Sequence, residues 1–316
     1  MKNKLLALLA AFGLVASVHA VEINDNISIN GFIDGSWSNT DQGATDTNDL
    51  DIDEVELNFI VNAGNVSGEI HVDSDDANGG DNNNMDLEQV HFTYTLDNGL
   101  SVTLGRFGSA LGFEGQDPAG LYTFSRAYDN GNSVKNIGNV DSIAVEGLSF
   151  GYSADAFSVA ISAVNPEGTL EEDGANNNDL DLEVAVSYTG IENLSIGAGI
   201  HQINGLTAAD DIDITNIHAS YTIDKLMLAA EHINVETANT DESAYLILAD
   251  YDVNDQLGVA VRYSQWDQGV NELDRVTVAP NYAITDSLGA ILEYSSTETA
   301  AGGDDDLLAL ELTFTF

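Results

Sequence analysis

From residue 27 onward the chain alternates apolar and polar residues one for one, in segments of roughly 8 to 12 residues separated by polar connections. The clearest run is the last, where Leu308, Leu310, Leu312, Phe314 and Phe316 alternate with Ala309, Glu311, Thr313 and Thr315. The same rhythm sets Val55, Leu57, Phe59 and Val61 against Glu54, Glu56 and Asn58, and Leu257, Val259, Val261 and Tyr263 against Gly258, Ala260 and Arg262. A period of two gives a strand one apolar and one polar face. Amphipathic helical periods are scarce. The pattern predicts strands near 27–37, 51–63, 66–74, 87–97, 100–107, 140–152, 157–164, 179–189, 194–203, 212–223, 226–235, 243–252, 256–266, 274–284, 288–297 and 306–316. That is about sixteen, an even number.

The connections alternate in length. Tight ones at Gly64-Asn65, Asn98-Gly99, Asp155-Ala156, Ile191 to Asn193, Asp224-Lys225, Asn254-Asp255 and Asp286-Ser287 interleave with longer polar ones. The longer ones include Asn39 to Leu50, Asp75 to Asp86, Gly108 to Asn139, Pro166 to Asp179 and Ala300 to Asp305. Short turns at one end and long loops at the other suit an outer-membrane barrel. Tyr94, Tyr188, Tyr221, Tyr251 and Tyr282 each precede a short turn on the parity of the apolar face, where an aromatic girdle would lie. Alternation alone also fits a soluble β-sandwich. Sixteen strands closed into one up-and-down antiparallel barrel instead enclose an aqueous channel.

After residue 20 no stretch approaches the roughly 18 consecutive apolar residues of a membrane helix, so a membrane reading requires strands. Residues 1–20, MKNKLLALLAAFGLVASVHA, read as a Sec-type signal peptide: Lys2 and Lys4, an apolar core from Leu5 to Val18, and a Val-His-Ala cleavage site. The barrel then occupies 21–316. The 316 residues hold 53 Asp plus Glu against 8 Lys plus Arg, a net charge of −45, and loss of the leader makes the chain more acidic still. So few cations cannot neutralise phosphates, which excludes nucleic acid as a main partner. A hydrophobic content of 43% excludes an acidic disordered chain. Cysteine is absent, which removes disulfides, thiolate metal sites and a cysteine nucleophile.

The terminal LLALELTFTF and the segment LSVTLGRFGSALGFEGQDPAGLYTFSRAY, Leu100 to Tyr128, carry a family resemblance. With the leader and the alternating strands, the chain resembles the Gram-negative outer-membrane porins, either the OmpL-like β-barrel porins or the general-diffusion type. In that family the last aromatic is read by the barrel-assembly machinery, which points to Phe314 and Phe316 as an assembly signal. A Gly-Arg pair, here Gly105-Arg106, ends a strand before a loop that folds into the pore. The resemblance further implies a passive channel in outer-membrane lipid, often a homotrimer, for ions and small hydrophilic solutes. The shortage of basic residues departs from the family's arginine ladder.

Strand parity sends Asp34, Glu54, Glu56, Glu69, Asp181, Glu183, Glu231, Glu293 and Glu311 to the lumen, opposed by Arg262 and Arg275. A lumen lined by one sign of charge concentrates counter-ions, which predicts cation preference. The connection Gly108 to Asn139 exceeds an ordinary turn. It is expected to fold inward as a constriction over 108–139, with Glu114 and Asp117 facing Arg262 and Arg275 across a transverse field. Arg126 would sit in this constriction or pin the loop to a wall carboxylate. The opposing expectation is a loop packed on the rim.

Other chemistry is thin. Gly147-Leu148-Ser149-Phe150-Gly151 matches G-x-S-x-G in a strand, where a nucleophile elbow needs a strand-to-helix turn. His71 with Asp73, Asp75 and Asp76 does not by itself form a catalytic constellation, and the five His beyond His19 are dispersed. No cofactor is expected. Loops at Asp41 to Asp53, Asp73 to Asp86, Glu171 to Asp181 and Asp304 to Asp306 offer oxygen ligands without EF-hand spacing, compatible with weak Ca²⁺ or Mg²⁺ binding. The expectation is a non-enzymatic, cation-preferring porin of the Gram-negative outer membrane. A sugar- or oligosaccharide-specific porin is the alternative within transport, and a soluble acidic secreted β-rich binding module or a barrel enzyme the alternatives outside it.

Overall fold

The computed structural model describes residues 20–43, 45–75, 85–115, 117–128, 144–165, 179–205, 211–269, 271–299 and 303–316. The leader assigned to 1–20 lies outside them except for Ala20. Alternating sequence becomes strand throughout: β1 (Val21–Asn24), β2 (Ile27–Asp41), β3 (Asp46–Ala63), β4 (Val66–Asp75), β5 (Asp86–Thr95), β6 (Leu100–Gly108), β7 (Ala144–Ser153), β8 (Phe157–Val164) and β9 (Asp181–Ile191). The second half holds β10 (Leu194–Ile203), β11 (Ile212–Ile223), β12 (Leu226–Thr237), β13 (Asp241–Asp252), β14 (Leu257–Asp267), β15 (Glu272–Thr285), β16 (Leu288–Glu298) and β17 (Asp304–Thr315).

From β2 to β17 each strand pairs antiparallel with its neighbours in sequence, and β17 pairs back on β2 from Asp306↔Asp41 to Thr315↔Phe32. Sixteen strands therefore close into one barrel, which satisfies every edge internally as lipid requires. Just past the end of β17, the Phe316 amide and carbonyl both bond Gly31 at 3.1 Å. Below that point β1 takes over the same edge of β2, with Val21 opposite Ile29. The last and first described segments thus lie end to end along one strand.

The distribution of side chains is inverted relative to a water-soluble protein. Leu310 is 41% exposed on the outer face, while its neighbour Glu311 is 2% exposed and points inward. Tyr94, Tyr221, Tyr251 and Tyr282 are exposed on that outer face close to the short turns, and Tyr188 packs there on Phe157 with ring centroids 4.8 Å apart. The short turns use the residues their geometry demands: Gly64, Gly99, Asn193 and Asp224 all have positive φ.

Three expectations about boundaries need correction. The sequence predicts a long loop over Asn39 to Leu50, yet β2 and β3 remain paired to Asp41↔Asp46, so that only residues 42–45 connect them. The Asp, Asn and Thr residues here face water on both sides, so the strand continues without an apolar face to announce it. By the same reasoning Asp304 to Asp306 belongs to β17 rather than to a loop. Gly105-Arg106 also does not end its strand; β6 runs on to Gly108.

Two bulges alter the parity on the inner wall. Asp34 faces Glu54 and Gly35 faces Ile52, so Asp53 is an extra residue in β3. His71 faces Gln89 and Val72 faces Leu87, so Glu88 is an extra residue in β5. A bulge re-aims the side chain it carries, and here each adds a carboxylate to the lumen side.

Gly31 sits where β2 is squeezed between β3 and the chain end. A Cβ there would lie 2.1 Å from the Glu56 carbonyl oxygen and 3.1 Å from the Phe316 ring. Gly31→Val should therefore separate β2 from β3 and lower the yield of folded barrel, read as the heat-modifiable fraction in detergent electrophoresis. A wild-type yield would show that the seam tolerates a side chain there.

Candidate functional site

The described part of the connection after β6, residues 109–115 and 117–128, turns into the barrel and lies along its inner wall. Carboxylates from three well-separated strands, β9, β12 and β16, hold its backbone. Glu183 on β9 accepts hydrogen bonds from Ser109 Oγ at 2.6 Å and the Ala110 amide at 2.9 Å. Glu231 on β12 accepts from the Phe113 amide at 2.6 Å and from Asn216 Nδ2 at 2.8 Å. Glu293 on β16 accepts from the Ser125 amide at 3.0 Å. Charge-assisted bonds to amides are stronger than neutral ones, so these three acids act as clasps. Between the clasps, Leu111, Ala127 and Tyr128 pack on Ile214, Ile233, Val235, Leu246 and Trp266, an apolar patch on the inner face of β11–β14.

Arg262 on β14 completes the fastening. It donates from Nη1 to Glu114 Oε1 at 2.6 Å and to Thr123 Oγ1 at 2.7 Å, and from Nη2 to Ser125 Oγ at 3.0 Å. The other oxygen of Glu114 accepts from the Ala127 amide at 2.7 Å. Arg275 on β15 donates to the Arg126 carbonyl at 2.9 Å and to Thr297 Oγ1 at 2.8 Å. This corrects the expected transverse field: Glu114 is in direct contact with Arg262, and both wall arginines bind the loop because it packs onto the strands that carry them. A cavity of about 410 Å³ remains between Ser125, Arg126 and Tyr128 of the loop and the ends of β2 and β15–β17.

The acidic surface lies on the opposite wall. Oxygens of Glu54 and Glu56 on β3 and of Asp117 on the loop fall within 4.8 Å of one another, and Glu56, His71 and Glu88 form a second such group. Glu69 reaches His71 Nε2 at 3.2 Å. Asp117 precedes a single 3-10 turn, Pro118–Gly120, which aims it at this wall. Although its side chain is open to the lumen, enclosure by protein and then repulsion from Glu56 raise its carboxyl to about 7, against the pull of His71 and Arg126. Burial lowers the Arg126 pKa, with Glu114, Glu311, Glu54 and Asp117 opposing. A guanidinium keeps its charge in such surroundings.

The remaining sequence-chosen residues are also on the inner face. Asp34 accepts from Thr313 Oγ1 at 2.7 Å across the β2–β17 seam, Asp181 accepts from the Asn204 amide at 2.7 Å, and Glu311 is buried beside Asp34. Ser149 lies mid-strand in β7 and accepts from Ser162 Oγ at 2.9 Å, in no nucleophile elbow. Of the proposed cation-binding loops, residues 76–84 and 166–178 lie outside the described residues. Sequence parity missed Glu88, because the bulge that turns it inward leaves no mark on the alternation.

The profile of the Gram-negative porins matches residues 6–302. The chain belongs to that family. Among curated proteins none matches its sequence. Solved structures of the same fold include the outer membrane channel DcaP of Acinetobacter baumannii, at 15% identity and a TM-score of 0.69, covering 92% of this chain and 97% of that one. An anion-selective porin from Comamonas acidovorans matches at 14% identity and 0.70, covering 92% and 99%. OmpT of Vibrio cholerae, in a trimer form, matches at 12% and 0.64, covering 92% and 100%. This porin is accordingly an outer-membrane diffusion channel rather than an enzyme.

Proposed function

We propose that this porin passes cations and small hydrophilic solutes in preference to anions, through a constriction between its inward loop and the acidic wall of β3–β5. The observation that carries this reading is the convergence of Asp117, on the inward loop, with Glu54 and Glu56 on β3. Arg262 and Arg275, which would favour anions, are occupied with the loop. Side chains rather than fold set selectivity, so likeness to an anion-selective porin at 14% identity does not argue for anions here. A homotrimer is proposed on the precedent of OmpT. Phe314 and Phe316, with ring centroids 5.8 Å apart at the end of the seam, are proposed as the signal for the barrel-assembly machinery.

Reversal potentials across a planar bilayer in a salt gradient test the preference, and anion selectivity at pH 8 would refute it. The same measurement carries a pH signature. Asp117 is faced by Glu54 and Glu56 on β3, His71 and Asp73 on β4, Glu88 on β5, and Arg126 of the loop. With its folded value raised to about 7, it is neutral below that pH and charged above it. Stability from this group is full below the ordinary aspartate range and is lost as pH rises through 7, while the charge it adds to the lumen grows. Cation preference should therefore fall between pH 8 and pH 6, and Asp117→Asn should flatten that part of the curve.

A further inference from the structure

The structure assigns a transition-metal site, of the class that binds Zn²⁺, to the inner wall at Glu56, His71 and Glu88. These residues lie on three adjacent strands. His71 Nδ1 is 3.4 Å from Glu56 Oε1 and 3.9 Å from Glu88 Oε2. A tetrahedral Zn²⁺ with bonds of about 2.0–2.1 Å holds neighbouring ligand atoms about 3.4 Å apart, so small side-chain adjustments would bring all three onto one ion.

Three further observations set this group apart from a mere accumulation of acids. The far ring nitrogen of His71 is held by Glu69 Oε2 at 3.2 Å, which directs Nδ1 at the other two carboxylates. A metal-bound histidine is oriented by a carboxylate on its other nitrogen in the same way. Second, Glu56 is 2% exposed, and its Oε2 is buried with no hydrogen-bond partner among the described residues. An unsatisfied buried carboxylate oxygen is costly, and a bound cation would satisfy it. Third, the bulge in β5 is what brings Glu88 to the lumen side beside His71.

The donor set also specifies the ion. Mg²⁺ and Ca²⁺ favour oxygen ligands alone, whereas an imidazole nitrogen with two carboxylates suits Zn²⁺ and its neighbours. The two carboxylates match the charge of a divalent ion. His71 and Glu88 remain partly open to the lumen, which gives the ion an entry path.

Titration calorimetry of the folded barrel in detergent, stripped with chelator, tests this with Zn²⁺ and Mg²⁺ as the probes. The expected result is one Zn²⁺ per chain bound at least tenfold more tightly than Mg²⁺. His71→Gln should weaken Zn²⁺ at least tenfold and leave Mg²⁺ unchanged, with heat-modifiable migration confirming that the variant is folded; Glu88→Gln should weaken Zn²⁺ as well. Unchanged Zn²⁺ binding in His71→Gln, or binding no tighter than that of Mg²⁺, would overturn the site. With chelator present in the reversal-potential measurements, a failure of the metal site and a failure of cation preference are separate results.

Discussion

Deleting Ala110 to Phe124 should raise single-channel conductance several-fold, the largest effect expected of any change to this protein. The segment occupies the lumen of a sixteen-stranded barrel, whose diameter would otherwise leave an open aqueous channel. Arg262→Ala acts on the same feature with one residue. It strands Glu114 without its ion pair and frees Thr123 and Ser125. Breaking a buried pair by removing one partner costs about 3–5 kcal/mol, a factor of about a hundred or more in the ratio of docked to undocked loop. Clasps from Glu183, Glu231 and Glu293 persist, so this variant should flicker between two conductance levels instead of opening fully. Arg262→Lys should lie between, because an ammonium keeps the charge without the two-pronged geometry. The deletion bares Ile214, Ile233 and Leu246 to water, so folded barrel must first be confirmed by heat-modifiable migration. Wild-type conductance in the folded deletion would mean that some other part of the lumen limits the current.

The second large effect is on selectivity. Neutralising the acidic side in the triple variant Glu54→Gln, Glu56→Gln, Asp117→Asn should bring the cation-to-anion permeability ratio down by about tenfold, towards unity. A carboxylate about 4 Å from a passing ion contributes about 1 kcal/mol even at the dielectric of water, and these three act on the same point of the path. Adding salt should diminish the difference between wild type and variant, chiefly through Asp117, the exposed member of the three, since exposed charges are screened. An unaltered ratio in the triple variant would place the selectivity elsewhere.

Most of the barrel could be read from the chain. In a strand with lipid on one side and water on the other, every second residue is under a different constraint, and the tight turns need Gly, Asn or Asp at positive φ. Legibility failed where those constraints lapse. Asn39 to Leu50 read as a loop because its strands rise into water and lose the apolar face, although their hydrogen-bond ladder continues. Inner-face orientation was legible for Glu183, Glu231 and Glu293, but their purpose was not. Parity says that a carboxylate points inward; it cannot say that a loop amide some 70 to 170 residues away in sequence will meet it. Those acids look like pore lining and instead hold the loop in place. Glu88 was hidden for another reason, since a one-residue bulge shifts phase without altering composition.

The seam has a consequence for how the barrel forms. Asp34 meets Thr313 across 279 positions of sequence, and the β2 edge is completed by Phe316 from one end of the described chain and Val21 from the other. A nascent chain exposes unpaired edges until its last strand arrives, and such edges are intolerable in hydrocarbon and adhesive in water. Strand-by-strand insertion into lipid is therefore disfavoured. The order of events should be assembly of a nearly complete sheet while the edges are shielded, followed by a single late closure step whose rate is set by the search of two distant segments for one another.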